Sequence, residues 1–196
     1  FLQSRKSMTE DQKLKKLDDF LHTFSTETGD GLCGEAGYYV FSYDPKDEMK
    51  VRQWTECETQ ILQQSNRPVV EFDLYKIMTA LLEEKHPRQK YEDLELRTGS
   101  MTRVVNAVNS VLHIGQSDDL MLNYILDRIP KKDAIILLTG VGKCYPLLRS
   151  HKILNDLHDR LADGIVLMMF PGRYEDGYLY LFGDVKDGNN YRAKPI

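Results

Sequence analysis

Two stretches of the chain are apolar without interruption: Ala134-Ile135-Ile136-Leu137-Leu138, which closes on Thr139, and Ile165-Val166-Leu167-Met168-Met169-Phe170. Runs of this length, bounded by turn residues, suit strands covered on both faces, and such strands belong to parallel sheets. Each empties into a glycine-bearing segment, Gly140-Val141-Gly142-Lys143-Cys144-Tyr145-Pro146 after the first and Pro171-Gly172-Arg173-Tyr174 after the second. In open α/β sheets, ligands and partners are met at the carboxyl ends of strands, so the two loops predict one shared rim. Between them, Leu147, Leu154, Leu157 and Leu161 mark one face of a helix that ends near Gly164.

Upstream, the same alternation recurs. Leu14, Leu17, Phe20, Leu21 and Phe24 follow Thr9 at helical spacing and predict an amphipathic helix, whose stripe docks on its own domain or on another subunit. After a glycine-rich loop, Tyr38–Tyr43 has the aromatic and β-branched content of a strand, and Asp44-Pro45 ends it while starting a helix over Glu48–Gln64. Val69–Phe72 predicts a short strand, and Asp73 caps a helix running through Leu82. From Glu83 to Lys132 dense charge and a Gly99 break accompany further helical patterns, so residues of about 85–130 are expected as a helical insertion, with Ser117-Asp118-Asp119 opening one helix. Tyr178–Phe182 is expected as an edge strand beside Phe170. The predicted fold is a three-layer α/β domain over residues 1–196. Its mostly parallel sheet of about four or five strands is flanked by helices, Rossmann-like in alternation but without a nucleotide-binding loop.

Composition narrows the function classes. At 196 residues the chain suits one domain with a genuine core. A net charge of −4 disfavours a broad nucleic-acid face, leaving DNA contact through Arg88, Lys90 and Arg97 as a minor class. Cys33, Cys57 and Cys144 are odd in number and widely spaced, so neither a disulfide framework nor a zinc motif is indicated, and a reducing cytoplasm is the expected compartment. No membrane-length apolar run or signal-peptide core is visible.

The candidate chemistry centres on the rim. Gly140-Val141-Gly142-Lys143 invites a phosphate-loop reading, but a Walker motif needs glycine where Leu137 stands and a hydroxyl where Cys144 stands. A dinucleotide fingerprint needs a third glycine at Tyr145. Arg149 falls in the first turn of a helix, where a cation opposes the macrodipole at a cost of about 0.3–1 kcal/mol. An acid such as Asp44 or Asp47, a partner or an anion should offset it. His151 is a general-base candidate without a nucleophile in fixed relation to it. Asp44 with Glu48-Met49-Lys50 has the residue types of a metal-dependent nuclease, but the triplet falls in a predicted helix. His22, His86, His113, His151 and His158 form no His-x-x-x-His or His-Glu pattern, so no metal and no cofactor are expected. Tyr145, Pro146, Pro171, Tyr174 and Tyr191 bring aromatic and proline surface to the same edge, residue types frequent in protein interfaces.

Four blocks, in order, resemble the BrxB family of bacterial BREX phage-exclusion systems. They are Tyr43-Asp44-Pro45 with Glu48 and Arg52; Leu138-Thr139-Gly140-Val141-Gly142 with Tyr145-Pro146, Arg149, His151, Leu154 and Leu157; Phe170-Pro171-Gly172 with Tyr174; and Leu181-Phe182-Gly183 with Asn190-Tyr191-Arg192-Ala193. The resemblance covers the chain from about Tyr38 onward. It implies a methyltransferase, an ATPase and an alkaline-phosphatase-like PglZ protein as neighbours.

The expectation is a non-catalytic assembly component of a BREX defence complex. It would bind other BREX proteins, the PglZ-like one foremost, and meet nucleic acid only through the complex; self-association stays open. Its contact candidates are Asp44, Gly140, Gly142, Tyr145, Arg149, His151, Pro171, Tyr174, Tyr191 and Arg192. The rival is an enzyme or a nucleotide or anion sensor built on Gly140–Lys143 with Arg149 and His151.

Overall fold

The structure is a computed structural model that describes residues 8–23, 37–130, 134–161, 163–186 and 193–196. Its parallel strands are β1 (Gly37–Tyr43), β2 (Val69–Asp73), β3 (Ile135–Thr139), β4 (Ile165–Glu175) and β7 (Lys194–Pro195), in the spatial order β2-β3-β4-β1-β7. The helices are α1 (Glu10–Thr23), α2 (Glu48–Gln64), α3 (Leu74–Lys85), α4 (Gln89–Thr98), α5 (Met101–Val111), α6 (Leu120–Leu126), α7 (Val141–Cys144) and α8 (Ser150–Arg160). The α/β class and the flanked, mostly parallel sheet match the sequence expectation.

Alternation along β3 builds the layers. Ile135 and Leu137 pack with α1 and α2, whereas Ile136 and Leu138 pack with α3 and α5–α8. All four are fully buried, as strands covered on both faces require. The path explains which helix lies where. From β1 the chain crosses through α2 to the far edge at β2, then steps back through β3 to β4, and the outward and return journeys use opposite faces. Crossovers that travel in opposite directions along a sheet keep one hand only by doing so.

The segment expected as an insertion shares the core of the sheet: Val104, Val108, Leu112, Met121, Leu122 and Ile125 pack in one cluster with Ile136 and Met168. Asp119 caps α6 by accepting from the Leu122 amide at 3.0 Å. At the other face, the stripe of α1 docks on its own sheet. Leu14, Leu17 and Leu21 pack with Phe41, Leu167 and Met169, a gain of about 1.5–3 kcal/mol per fully buried side chain. Phe24 lies outside the described residues.

One expectation needs correction. Pro171-Gly172-Arg173-Tyr174 is strand, the continuation of β4, which runs without a break to Glu175. Through Pro171 the strand is registered on β1, with Pro171 opposite Tyr43, and beyond it β4 pairs antiparallel with β5 (Tyr178–Leu181), Gly172 opposite Leu181. Accordingly β5 lies beside residues 172–175, not beside Phe170. β3 registers no further than Leu138 opposite Met168, so beyond that point β4 has an open flank that the returning hairpin occupies. Proline is tolerated at this transfer because an N–H donor can be spared at a strand edge. A short β6 (Val185–Lys186) completes the antiparallel annex.

Candidate functional site

The rim forms where β2 and β3 reach their carboxyl ends and β4 passes Pro171 on its way into the hairpin. Gly140 follows β3 at φ +73°, a left-handed conformation that starts the short α7. A Cβ there would lie 2.3 Å from Asp73 Oδ1, so only glycine fits. Asp73 caps α3 by accepting from the amides of Tyr75 at 3.0 Å and Lys76 at 3.1 Å, while its other oxygen accepts from Lys143 Nζ at 2.7 Å. Burial pushes this carboxyl upward, but the Lys143 ammonium and the Lys76 amide outweigh it and hold Asp73 below its ordinary value. The loop lysine is thereby tied to an acid of its own chain.

Beside this pair is a cavity of about 180 Å³ whose lining includes Glu48, Arg52, Glu71, Asp73, Lys76 and Lys143. Its charges are largely mutually satisfied. Arg52 Nε donates to Glu48 Oε1 at 2.7 Å, Tyr43 donates its phenol proton to the other Glu48 oxygen, and Thr139 donates to Glu71 at 2.7 Å. Burial, then the Glu48 contact, pushes the Tyr43 phenol up. The volume falls below the roughly 300–1,000 Å³ of sites for drug-sized ligands.

The second half of the rim is aromatic. Phe182, the residue after β5, is held at φ +54° and is 47% exposed. Its backbone N–H donates to the Pro171 carbonyl at 2.9 Å. Its ring lies edge-on to Tyr145, 6.5 Å between centroids, and Arg149 stands 5.0 Å above the Tyr145 ring. Gly142 makes this convergence fit, since a Cβ would lie 2.9 Å from Pro171 and 3.0 Å from the Phe182 ring. The glycine segment after β3 and Pro171 within β4 thus meet at one rim through Gly142, although the second segment is strand and not a loop. Arg149 is the N-cap of α8, and its cation–π contact, worth about 0.5–1 kcal/mol when exposed, is of the size needed against the macrodipole.

The remaining sequence candidates are distributed as follows. Asp44 is exposed, caps a single turn of 3-10 helix at Pro45–Asp47 by accepting from the Lys46 amide at 3.1 Å, and pairs with Lys46 Nζ at 2.7 Å. His151 sits half-buried in the first turn of α8. Tyr174 is not a rim residue: it stands in the hairpin opposite Leu179 and packs on the core. Tyr191 and Arg192 lie outside the described residues. Glu48 and Lys50, the nuclease-like pair, are in α2, where Lys50 pairs with Asp11 of α1.

Sequence reasoning missed Phe182 as a site residue and missed the Asp73–Lys143 pair. An aromatic immediately before glycine at a strand end was the available signal for the first. The second had none, because its partners are 70 residues apart.

Fold and rim together define a small α/β protein whose glycine loop is a packing joint carrying an exposed aromatic and arginine edge. The family model described as "BREX protein BrxB" matches residues 70–196. The chain is 42% identical over 184 residues to a BREX protein BrxB of Bacillus cereus (strain H3081.97), covering 93% of each. It is 26% identical over 168 residues to a BREX protein BrxB of Escherichia coli O9:H4 (strain HS), covering 83% of this chain and 79% of that one. The chain belongs to the BrxB family, and so to the components of BREX systems. No solved structure matches it significantly. No helix among the described residues is long and apolar enough to cross a membrane.

Proposed function

We propose that the chain is a non-catalytic assembly component of a BREX complex and offers the edge formed by Phe182, Tyr145 and Arg149 to another BREX protein, with a PglZ-like component as the foremost candidate. The observation that carries this reading is the backbone of Phe182. A non-glycine residue in the left-handed region costs about 1–2 kcal/mol, and here the outlay places an aromatic ring half in solvent. Arginine and tyrosine are enriched in interface hot spots, and phenylalanine is enriched in interface surfaces. Along the outer face of the hairpin the same chemistry continues, with Arg173 4.4 Å above the Tyr180 ring and Lys186 3.4 Å above Tyr178.

The test is capture of the tagged protein from cells that express the other BREX components. The wild-type protein should co-purify with one of them. Phe182→Asn, which removes the ring while tolerating the left-handed backbone, should lose most of that capture at unchanged thermal stability. Recovery of the wild-type protein alone would overturn the reading.

The cavity beside Asp73 favours a second reading, a sensor of a small polar ligand. It sits at the carboxyl edge where the crossover direction reverses, the place where open α/β sheets take ligands. An anion approaching Lys143 would have to displace Asp73. Calorimetry with ATP, GTP and inorganic phosphate separates the readings, since saturable micromolar binding abolished by Lys143→Ala belongs to the sensor.

A further inference from the structure

A cluster of metal-ligating side chains lies away from the rim, between α1 and α2. The two helices run side by side in the same direction: Asp11 meets Lys50 near their starts, and the Leu21 carbonyl near the end of α1 accepts from the guanidinium of Arg67, just past α2. Between these contacts Asp18 and His22, one turn apart on α1, converge with Glu58 of α2, and a ligating atom of each lies within 4.8 Å of the other two. Glu58 is the anomaly. Its side chain is 4% exposed and its Oε1 has no hydrogen-bond partner. His22 Nε2 approaches that oxygen to 2.7 Å, yet not in the geometry of a hydrogen bond. The neighbouring group is another carboxyl, that of Asp18. Asp119, equally buried, shows the usual solution: its carboxylate accepts from the amides of Gly115 at 2.8 Å and Leu122 at 3.0 Å. Glu58 has no amide donors of this kind: its neighbours are the His22 imidazole, an ion-pair partner when protonated, and the Asp18 carboxyl, so the buried carboxylate needs a cation or a proton.

We propose that Asp18, His22 and Glu58 bind a divalent transition-metal ion of the zinc class, which clips α1 to α2. One imidazole nitrogen and two carboxylate oxygens form a donor set suited to such an ion, and three protein ligands leave a fourth position for water. Bonds of about 2.0–2.2 Å place tetrahedral ligand atoms roughly 3.3–3.6 Å apart, so side-chain rotation suffices to close the site. Two negative charges on a neutral histidine match a double positive charge. The imidazole is 41% exposed, which leaves the ion a path from solvent. Spacing on one helix could not disclose the site, because its third and most buried ligand comes from a different helix. The clip would fasten α1 to α2, both of which precede the segment matched by the family model.

The full chain, stripped with a chelator and dialysed, should take up one Zn²⁺ per molecule in calorimetry, and Co²⁺ should give the visible absorption of a tetrahedral nitrogen and oxygen site. Zn²⁺ should raise the thermal midpoint in a concentration-dependent way. His22→Ala and Glu58→Gln should each weaken binding by at least about 100-fold, since even outer-sphere partners of ligands cost about 10–100-fold. Glu58→Gln serves as the near-isosteric variant that keeps the fold. Two results would overturn the site: no saturable uptake of Zn²⁺ or Co²⁺, or uptake that both variants leave unchanged, which would assign it to other histidines or thiols. A third would equally do so, namely Glu58→Gln stabilising the metal-free protein while Zn²⁺ leaves the wild type unaffected, because it would show that Asp18 and Glu58 share a proton instead.

Discussion

Lys143 Nζ donates to Asp73 Oδ2 at 2.7 Å, locking the glycine loop after β3 to the carboxyl end of β2. The same carboxylate caps α3, so one side chain joins a strand end, a helix start and the loop that a phosphate-binding reading would need free.

Removing that carboxylate should therefore cost more than removing the lysine. Asp73→Ala loses the cap and leaves a partly buried ammonium without its partner, an expected loss of about 2–3 kcal/mol in urea denaturation. Asp73→Asn keeps a good cap and Lys143→Ala removes only the cation, so each should cost about 1 kcal/mol. Equal losses for all three variants would refute this division of roles.

Acid should expose the same pair. Asp73 is held below its ordinary value of 3.8, so its ionised form is favoured by folding. The stability this confers is complete above that ordinary value and is lost as pH falls through the lower folded value. Denaturation curves collected downward from pH 5 should show a wild-type decline that is shallower in Asp73→Asn.

The two loop glycines should respond differently to alanine. Gly140→Ala forces both a left-handed alanine and the displacement of Asp73, and should destabilise by about 2 kcal/mol or more. Gly142 has no such backbone demand, and its new methyl meets Pro171 and the Phe182 ring. Gly142→Ala should leave stability within about 1.5 kcal/mol while turning Phe182 aside and reducing capture of a BREX partner. If Gly142→Ala captures its partner as well as the wild type, the Phe182 edge is not the contact.

Leu17 is fully buried between α1 and the sheet. Leu17→Ala should lower stability by about 2–5 kcal/mol at any protein concentration. A loss that vanishes on dilution would instead place the α1 stripe against another subunit.

Thiol reactivity offers an independent check on burial. Burial pushes the Cys144 thiol up to about 12, whereas Cys57 is exposed. Peptide mapping after brief alkylation of the native protein should find Cys57 modified and Cys144 untouched, with both modified in denaturant. Early labelling of Cys144 would mean that the α7 joint opens readily.

Local chemistry made much of the fold legible. The apolar runs at Ile135 and Ile165 are strands and Asp73 caps a helix as expected, whereas the helix expected to open at Ser117 starts at Leu120 with Asp119, read as a first-turn acid, as its cap. Periodicity and capping depend on residues a few positions apart, so they can be read one segment at a time. The same locality misled at Pro171-Gly172, whose turn chemistry was overruled by β1 on one flank and β5 on the other. Gly172 is there because a Cβ would lie 2.0 Å from the Tyr180 carbonyl, a hairpin contact that composition cannot announce. Tyr174 followed the strand and left the rim with it.

From its residues alone, the chain determined the alternation of strands and helices, the doubly covered centre of the sheet and membership of the BrxB family, since each rests on residue types at short or fixed spacing. Tertiary structure decided that Lys143 faces Asp73, that Phe182 stands against Tyr145 at the rim, that α1 packs on its own sheet, and that Asp18 and His22 meet Glu58. Those pairings join segments far apart along the chain, and only the closing of the sheet and its helices around a common core sets the distances between them.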